Sequence, residues 1–243
     1  MKISFYNGVS GLVAYQEELN RVSNNVANAN TVGFKPSQST FSALLHTRMA
    51  VNSETQPLTG HGVRIQAPRL LCQQGAALQT GHSLDFALMG EGFFAVERPD
   101  GSTAYTRSGA FDISMEGDSG YLVTSDGAYV LDRRGRRIEV EPEDRDSPLD
   151  LEGLAEQIGV YAIPNPYGLE PVGGNCYVTT APSGEAEAMD EGAYQLLQGT
   201  LEQSAVNLSD EMVSVIAAQR AFQLNAKLVQ TADELEQTVN NLR

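Results

Sequence analysis

Three histidines, His46, His61 and His82, are the side chains of this sequence best suited to catalysis or metal binding. A metal centre needs imidazole and thiolate donors at short, regular spacings. Cys72 and Cys176 stand far apart, outside any C-x-x-C pair, and no histidine is spaced from either as a zinc ligand would be. His82, Ser83 and Asp85 are near neighbours in the chain, whereas a nucleophile, its base and the group that orients the base converge from separate elements. Gly90-Glu91-Gly92 lacks the third glycine and the following helix of a dinucleotide loop. No catalytic, cofactor-binding or metal-binding residue is assigned on this pattern, and no cofactor is expected. The two cysteines are compatible with one disulfide or with two free thiols.

Charge is the next chemistry to weigh. Arg133-Arg134-Gly135-Arg136-Arg137 is a dense basic turn in a chain of net charge -15. It reads as a solvated hairpin tip, or as a contact with an acidic neighbour such as the Glu141, Glu143, Asp144 and Asp146 run of another copy. The overall negative charge opposes binding to nucleic acid and to anionic membranes. The chain has 243 residues, 41% of them hydrophobic, which is enough to bury a core in one large domain or two small ones. No apolar run approaches the ~20 residues of a membrane-spanning helix. Asn7, Gly8, Ser10 and Gly11 interrupt any secretory leader, so the expectation is cytoplasmic unless the chain leaves without a cleaved signal.

The elements that would position these residues fall in three zones. From Ile3 to Ala29, Phe5, Val9, Leu12, Leu19, Val22 and Val26 lie three, four or seven apart, a helical stripe with Gln16 in the gap. Glu17 and Arg21 are spaced as an i,i+4 pair on the outer face. Asn24, Asn25, Asn28 and Asn30 form an uncharged amide cluster able to satisfy backbone groups at a crowded helix end. Gly33 suits the left-handed exit, Pro36 discourages resumption, and Phe34 is an apolar anchor. The middle zone, roughly Gly60 to Thr180, reads as hairpins: Leu84 to Met89, Phe93 to Glu97, Thr103 to Arg107, Tyr121 to Thr124 and Tyr129 to Leu131 are expected strands. Asp100-Gly101, Ser119-Gly120 and Asp126-Gly127 are expected turns. From Asn207 to Arg243 the positions Val215, Gln219, Phe222, Ala226, Val229, Ala232, Leu235, Val239 and Leu242 step like a heptad seam. Asn207 or Ser209 would cap that helix, and Asp210 and Glu211 suit its positive end. The fold class is α+β: long N- and C-terminal helices pairing as a coiled coil, with a central all-β domain of hairpins. The division expected is a terminal helical assembly domain at 1–45 and 200–243, an extended linker at 46–80 and a β domain at 81–199. Two helices pairing only with each other leave apolar surface uncovered, to be covered by partner helices from other copies or by packing of both helices on the β domain of the same chain.

Several of these segments carry a family pattern. Ser23-Asn24-Asn25-Val26-Ala27-Asn28-Ala29-Asn30-Thr31-Val32-Gly33-Phe34-Lys35 resembles the N-terminal signature of the bacterial flagellar rod and hook proteins. Ala218-Gln219-Arg220-Ala221-Phe222-Gln223-Leu224-Asn225-Ala226-Lys227 is similar to their C-terminal signature. Asp85 to Val96, Ala104 to Phe111, Asn165 to Leu169 and Gly173 to Tyr177 resemble the β domain of the rod members. Shorter proximal rod subunits lack that domain and the hook protein is longer, so the likeness is greatest to the distal rod type, with a β-bearing proximal rod or hook-type member as the alternative. The resemblance implies a structural subunit and not an enzyme, polymerising head to tail into a helical tube with the terminal helices inside and the β domain outside. It implies assembly contacts at Leu12, Leu19, Val22, Asn24, Asn25, Val26, Asn28, Gly33, Phe34 and Lys35. On the C-terminal helix it implies Ile216, Gln219, Arg220, Phe222, Asn225 and Val229. The implied partners are other copies of the chain, other rod and hook subunits and the flagellar export apparatus, with no nucleic acid and no membrane insertion. The implied location is the flagellar basal body, reached by export without a cleaved signal peptide. A rival of another class is a secreted β-domain binding protein or hydrolase braced by its terminal helices.

Overall fold

The computed structural model of the chain describes residues 2–48, 58–117, 119–140, 153–190 and 192–242. They form two units. One comprises residues 1–27, 37–69 and 207–243, and the other residues 28–36 and 70–206.

The first unit holds two long helices, Lys2–Ala27 and Leu208–Asn241. Neither contains proline, which would break the ladder. The second starts where Asn207 Oδ1 accepts the Ser209 backbone N–H, with Asp210 and Glu211 in its first turn, as its dipole favours. Gly8 lies against Val229, Gly11 against Asn225, and Asn25 bonds Glu211, so the helices run antiparallel. A Cβ added at Gly8 would fall 2.8 Å from Val229 Cγ2, and one at Gly11 2.6 Å from Asn225 Oδ1. A side chain at either position would push the facing Val229 or Asn225 side chain aside, so the two glycines let the backbones close.

The inner face therefore differs from the expected stripe. Gly8, Gly11, Ala14, Val22 and Asn25 are buried, while Val9, Leu12, Leu19 and Val26 are half-buried and Phe5 is exposed. The small residues set the axis of contact and the bulky ones flank it. On the C-terminal helix Ala218 and Ala232 are buried and Phe222, Ala226 and Val229 half-buried, but Gln219, Leu235, Val239 and Leu242 are exposed. The expected Glu17–Arg21 pair is also replaced. Arg21 Nη2 meets Glu18 Oε1 at 2.5 Å, and Arg21 Nη1 donates to Ser37 O at 2.5 Å, which leaves Glu17 exposed.

Stretches 41–48 and 58–65 form an antiparallel arm: Phe41–Ala43 pairs with Val63–Ile65, and His46–Arg48 with Leu58–Gly60. Within the span expected as an extended linker, His46–Arg48, Leu58–Gly60 and Val63–Ile65 are paired strands. An isolated two-stranded ribbon is marginal in water, and the N-terminal helix supports this one. Asn7 Nδ2 donates to Gly60 O at 3.0 Å, Val63 N to Ser10 Oγ at 3.3 Å, and the Tyr15 and Phe41 rings lie 5.1 Å apart.

The second unit is built on a ten-stranded sheet. Its main path runs Phe111–Glu116, Ser119–Thr124, Tyr129–Val130, Phe93–Glu97, Thr103–Thr106, Cys176–Val178, Glu170–Gly173, with antiparallel neighbours throughout. Phe86–Met89 pairs separately with Gln195–Gln198, and Ala77–Gln79 with Thr200–Glu202. The core gathers Phe86, Leu88, Phe94, Val96, Leu122, Val130 and Val160. Gly101 and Gly127 take φ of 79° in the expected turns. Ser119-Gly120 is not a turn: it lies inside a strand, where a Cβ on Gly120 would fall 2.9 Å from Val140 O. Gly117, at φ 69°, takes the positive angle of that connection instead. Phe111–Glu116, absent from the expected strands, is the edge of the sheet.

Candidate functional site

Within the second unit, segment 32–35 and segment 202–205 lie side by side. Gly33 N donates to Glu202 O at 2.7 Å, and Ala205 N to Phe34 O at 3.1 Å. These are the stretches from which the two long helices continue along the chain. A buried ion cluster joins them. Lys35 Nζ lies 2.6 Å from Glu202 Oε1 and also donates to Gln73 O at 2.6 Å. Gly75 N donates to Glu202 Oε1 at 2.7 Å, and Arg107 Nη1 reaches Glu202 Oε2 at 3.3 Å. Arg107 also donates to Leu88 O and Gly90 O and lies over the Phe93 ring. The three charged side chains are only 1%, 2% and 5% exposed for Lys35, Glu202 and Arg107. Burial, and then the neighbouring Arg107 charge, hold the Lys35 ammonium below the ordinary lysine value against the pull of Glu202. Burial pushes the Cys72 thiol up although Lys35 and Arg107 draw it down. Cys72 and Cys176 are both free thiols.

Gly33 sits in this cluster with φ of 65°. A Cβ there would fall 2.5 Å from the Arg107 carbonyl carbon. Its glycine is required both for the left-handed angle and for the space. Val32 O accepts from Asn175 Nδ2 at 2.7 Å, so the β domain grips the exit turn from its other side.

In the first unit Asn25 is the polar node. Its Nδ2 donates to Ser37 O at 3.0 Å and to Glu211 Oε1 at 2.7 Å, and its Oδ1 accepts from Ser37 N at 3.1 Å. One buried amide thus ties the end of the first helix, the start of the arm and the first turn of the last helix.

The C-terminal helix exposes a long apolar row, and the N-terminal helix a shorter one. On the C-terminal helix Val213, Ile216, Leu224, Leu228, Leu235, Val239 and Leu242 are all exposed, Leu224 at 69%. They recur at helical steps, interrupted by Arg220 and Thr231 alone. The N-terminal helix presents Ile3, Tyr6 and Val13 on a row that continues through Glu17, Asn20 and Asn24, all exposed. Such surface is what a partner helix covers.

The expected site residues therefore separate. Val22, Asn25, Gly33 and Lys35 are buried; Leu12, Leu19, Val26, Asn28, Phe34, Phe222, Asn225 and Val229 are half-buried; Asn24, Ile216, Gln219 and Arg220 are exposed. Reasoning from sequence missed Glu202 and Arg107, far from Lys35 in the chain, and Val213, Leu224 and Leu228 of the exposed row. These had a signal: apolar positions one or two residues out of phase with the heptad seam, which they join at Leu235.

The basic turn is largely neutralised. Arg136 pairs with Asp132 at 2.9 Å, Arg137 with Glu97 at 2.8 Å while lying over Tyr129, and Arg133 with Asp190 at 3.3 Å. It borders a cleft of about 1020 Å³ that also takes in Glu139 and Glu156. The Glu141 to Asp146 run lies outside the described residues, as does Arg243. Among the described residues no helix is long and apolar enough to cross a membrane.

Three family models match the chain. Residues 5–35 match "Flagella basal body rod protein", 87–156 "Flagellar hook protein FlgE/F/G D1 domain", and 197–242 "Flagellar basal body rod FlgEFG protein C-terminal". A Bacillus subtilis protein named flagellar basal-body rod protein FlgG is 36% identical, covering 99% of this chain and 98% of that one. The protein of the same name from Borreliella burgdorferi is 34% identical over 100% of this chain and 99% of its own length. Another, from Buchnera aphidicola, is 32% identical over 98% and 99%.

Proposed function

Because the chain belongs to the flagellar basal-body rod protein family, with relatives named FlgG matching it over its whole length, it is a structural subunit of the bacterial flagellar rod, and we propose that it polymerises through the outer faces of its terminal helices. The family is one of structural proteins, not of enzymes, and its members assemble with other rod and hook components. Residues 1–45 and 200–243 act as the assembly part, 46–80 as the connection and 81–199 as the outer β body. The helices pack as coiled coils with those of neighbouring copies, in a tube whose contacts repeat without closing. The chain reaches the basal body through the flagellar export apparatus with no leader removed.

The observation that carries this is the exposed apolar row of the C-terminal helix, on a pair of helices that already share an inner face. A helix used only to brace its own chain is apolar on one face. Here the C-terminal helix is apolar on two, and seven large side chains of the second face are in water. Ile216→Asp and Leu224→Asp test it. Both positions are exposed, so the purified chain should keep its helix content and its unfolding free energy within about 0.5 kcal/mol. Cells carrying either variant as their sole copy should be non-motile, with the chain missing from purified basal bodies. Normal incorporation would refute assembly through this face.

A further inference from the structure

Arg220 stands within the exposed row of the C-terminal helix from Val213 to Leu242, with exposed Lys227 two turns on and about 20° round the helix from it. Glu17 stands on the exposed side of the N-terminal helix, after Ile3, Tyr6 and Val13 and before Asn20 and Asn24, while Ser10 on the same side is half-buried under the arm and accepts from Val63 N. Both side chains are exposed, and neither has an ion pair or side-chain hydrogen bond among the described residues. Their natural competitors are taken: Arg21 holds Glu18, and Glu211 is bound by Asn25 and faces Arg21. Glu234 and Glu236 flank Leu235 and so lie to either side of the apolar row, about 100° round the helix from it.

A row of apolar side chains covered by another helix leaves a lone guanidinium in a dry place. There it opposes association unless a carboxylate meets it. A lone carboxylate on the complementary row has the same need. Within one chain the antiparallel packing of Gly8 on Val229 and Gly11 on Asn225 sets Glu17 close to the axial level of Arg220, yet the two form no ion pair. A neighbouring copy laid alongside with little axial offset brings Glu17 of one level with Arg220 of the other. We propose that Arg220 of each copy pairs with Glu17 of a neighbouring copy, and that this pair fixes the axial register of the helices in the tube. The inference rests on the assembly role given above. A charged pair in an apolar seam sets register because sliding by one turn leaves both charges buried and alone.

Charge reversal in cells whose only copy is the variant tests it, with incorporation into purified basal bodies as the readout. Glu17→Arg and Arg220→Glu should each lower incorporation at least tenfold, while circular dichroism of the purified chains stays unchanged. The double variant should restore it. So should co-expression of the two single variants, because chains with two positive sites can alternate with chains with two negative ones. Normal incorporation of either single variant, or no restoration by the double, would overturn the pair. Restoration by the double but not by co-expression would place the pair within one chain and overturn its role between copies. Ile216→Asp is the control: if it too incorporates normally, the assembly face itself is wrong. If it fails while the charge variants succeed, only the pair is wrong.

Discussion

The two carboxylate oxygens of Glu202 take three donors, Lys35 and Gly75 on one and Arg107 on the other, and its backbone carbonyl holds Gly33 N. Removing one member of a buried charged cluster leaves the others uncompensated and costs about 3–5 kcal/mol. Lys35→Met should therefore lower the unfolding free energy from urea titration by about that much at neutral pH. The pH dependence has a definite sign. Burial lowers the Lys35 value in the folded chain, so at alkaline pH the unfolded chain binds more protons. Stability from this group then rises as pH climbs from the folded value towards the ordinary lysine value. Wild type should gain relative to Lys35→Met across that window in paired urea titrations, and a gain that shrinks instead would mean the ammonium is held above its ordinary value. Gly33→Val acts next door. The left-handed strain and the clash with the Arg107 carbonyl carbon, 2.5 Å from a Cβ, together cost about 3 kcal/mol or more. Unfolding that matches wild type would show the exit turn to be free to rearrange. Gly33 was legible in the sequence because a helix exit followed by proline asks for glycine. Its second constraint, from a backbone more than seventy residues away, left no local trace. Lys35 and Glu202 were not legible as partners for the same reason.

At the scale of elements, periodicity carried most of what could be read. Both helices stand close to where their apolar spacing placed them, and the two Asp-Gly turns hold hairpins. Periodicity did not say which of two overlapping stripes faces inward. Gly8, Gly11 and Ala14 carry too little apolar surface to register in a count of large residues, yet they decide the inner face by letting the backbones close. The same blindness hid the arm. Its strands are two or three residues long, shorter than an alternation needs to be recognised, and their stability comes from the helix behind them. The two faces of the C-terminal helix separate two effects of one kind of substitution. Phe222 is half-buried on the side of the intrachain contact, so Phe222→Asp should destabilise the isolated chain by about 1–3 kcal/mol. Ile216 is exposed, so Ile216→Asp should abolish assembly and leave that free energy unchanged. Equal destabilisation in a chemical unfolding titration would mean that both faces are buried within one chain.

Over the whole molecule, what cannot be satisfied within one chain is concentrated at the C-terminal end. Beyond Ala232 every described residue of the last helix is exposed, Leu235, Val239 and Leu242 among them. A helix end without tertiary contacts is held by propensity alone, and the nucleation cost makes such turns open readily. The second unit, by contrast, closes its core around Phe86, Phe94 and Leu122 and is ordered by contacts within residues 28–36 and 70–206. A protease added to dilute full-length chain should therefore remove the turns after residue 232 first, before it cuts within the core strands of the second unit. In purified basal bodies the same sites after residue 232 should resist, because neighbouring copies cover Leu235 and Val239. Mass spectrometry of the timed digests reads both states. Protection of the last ten residues in the dilute chain equal to that in basal bodies would mean the apolar row is already covered without a partner, and polymerisation would then need a different surface.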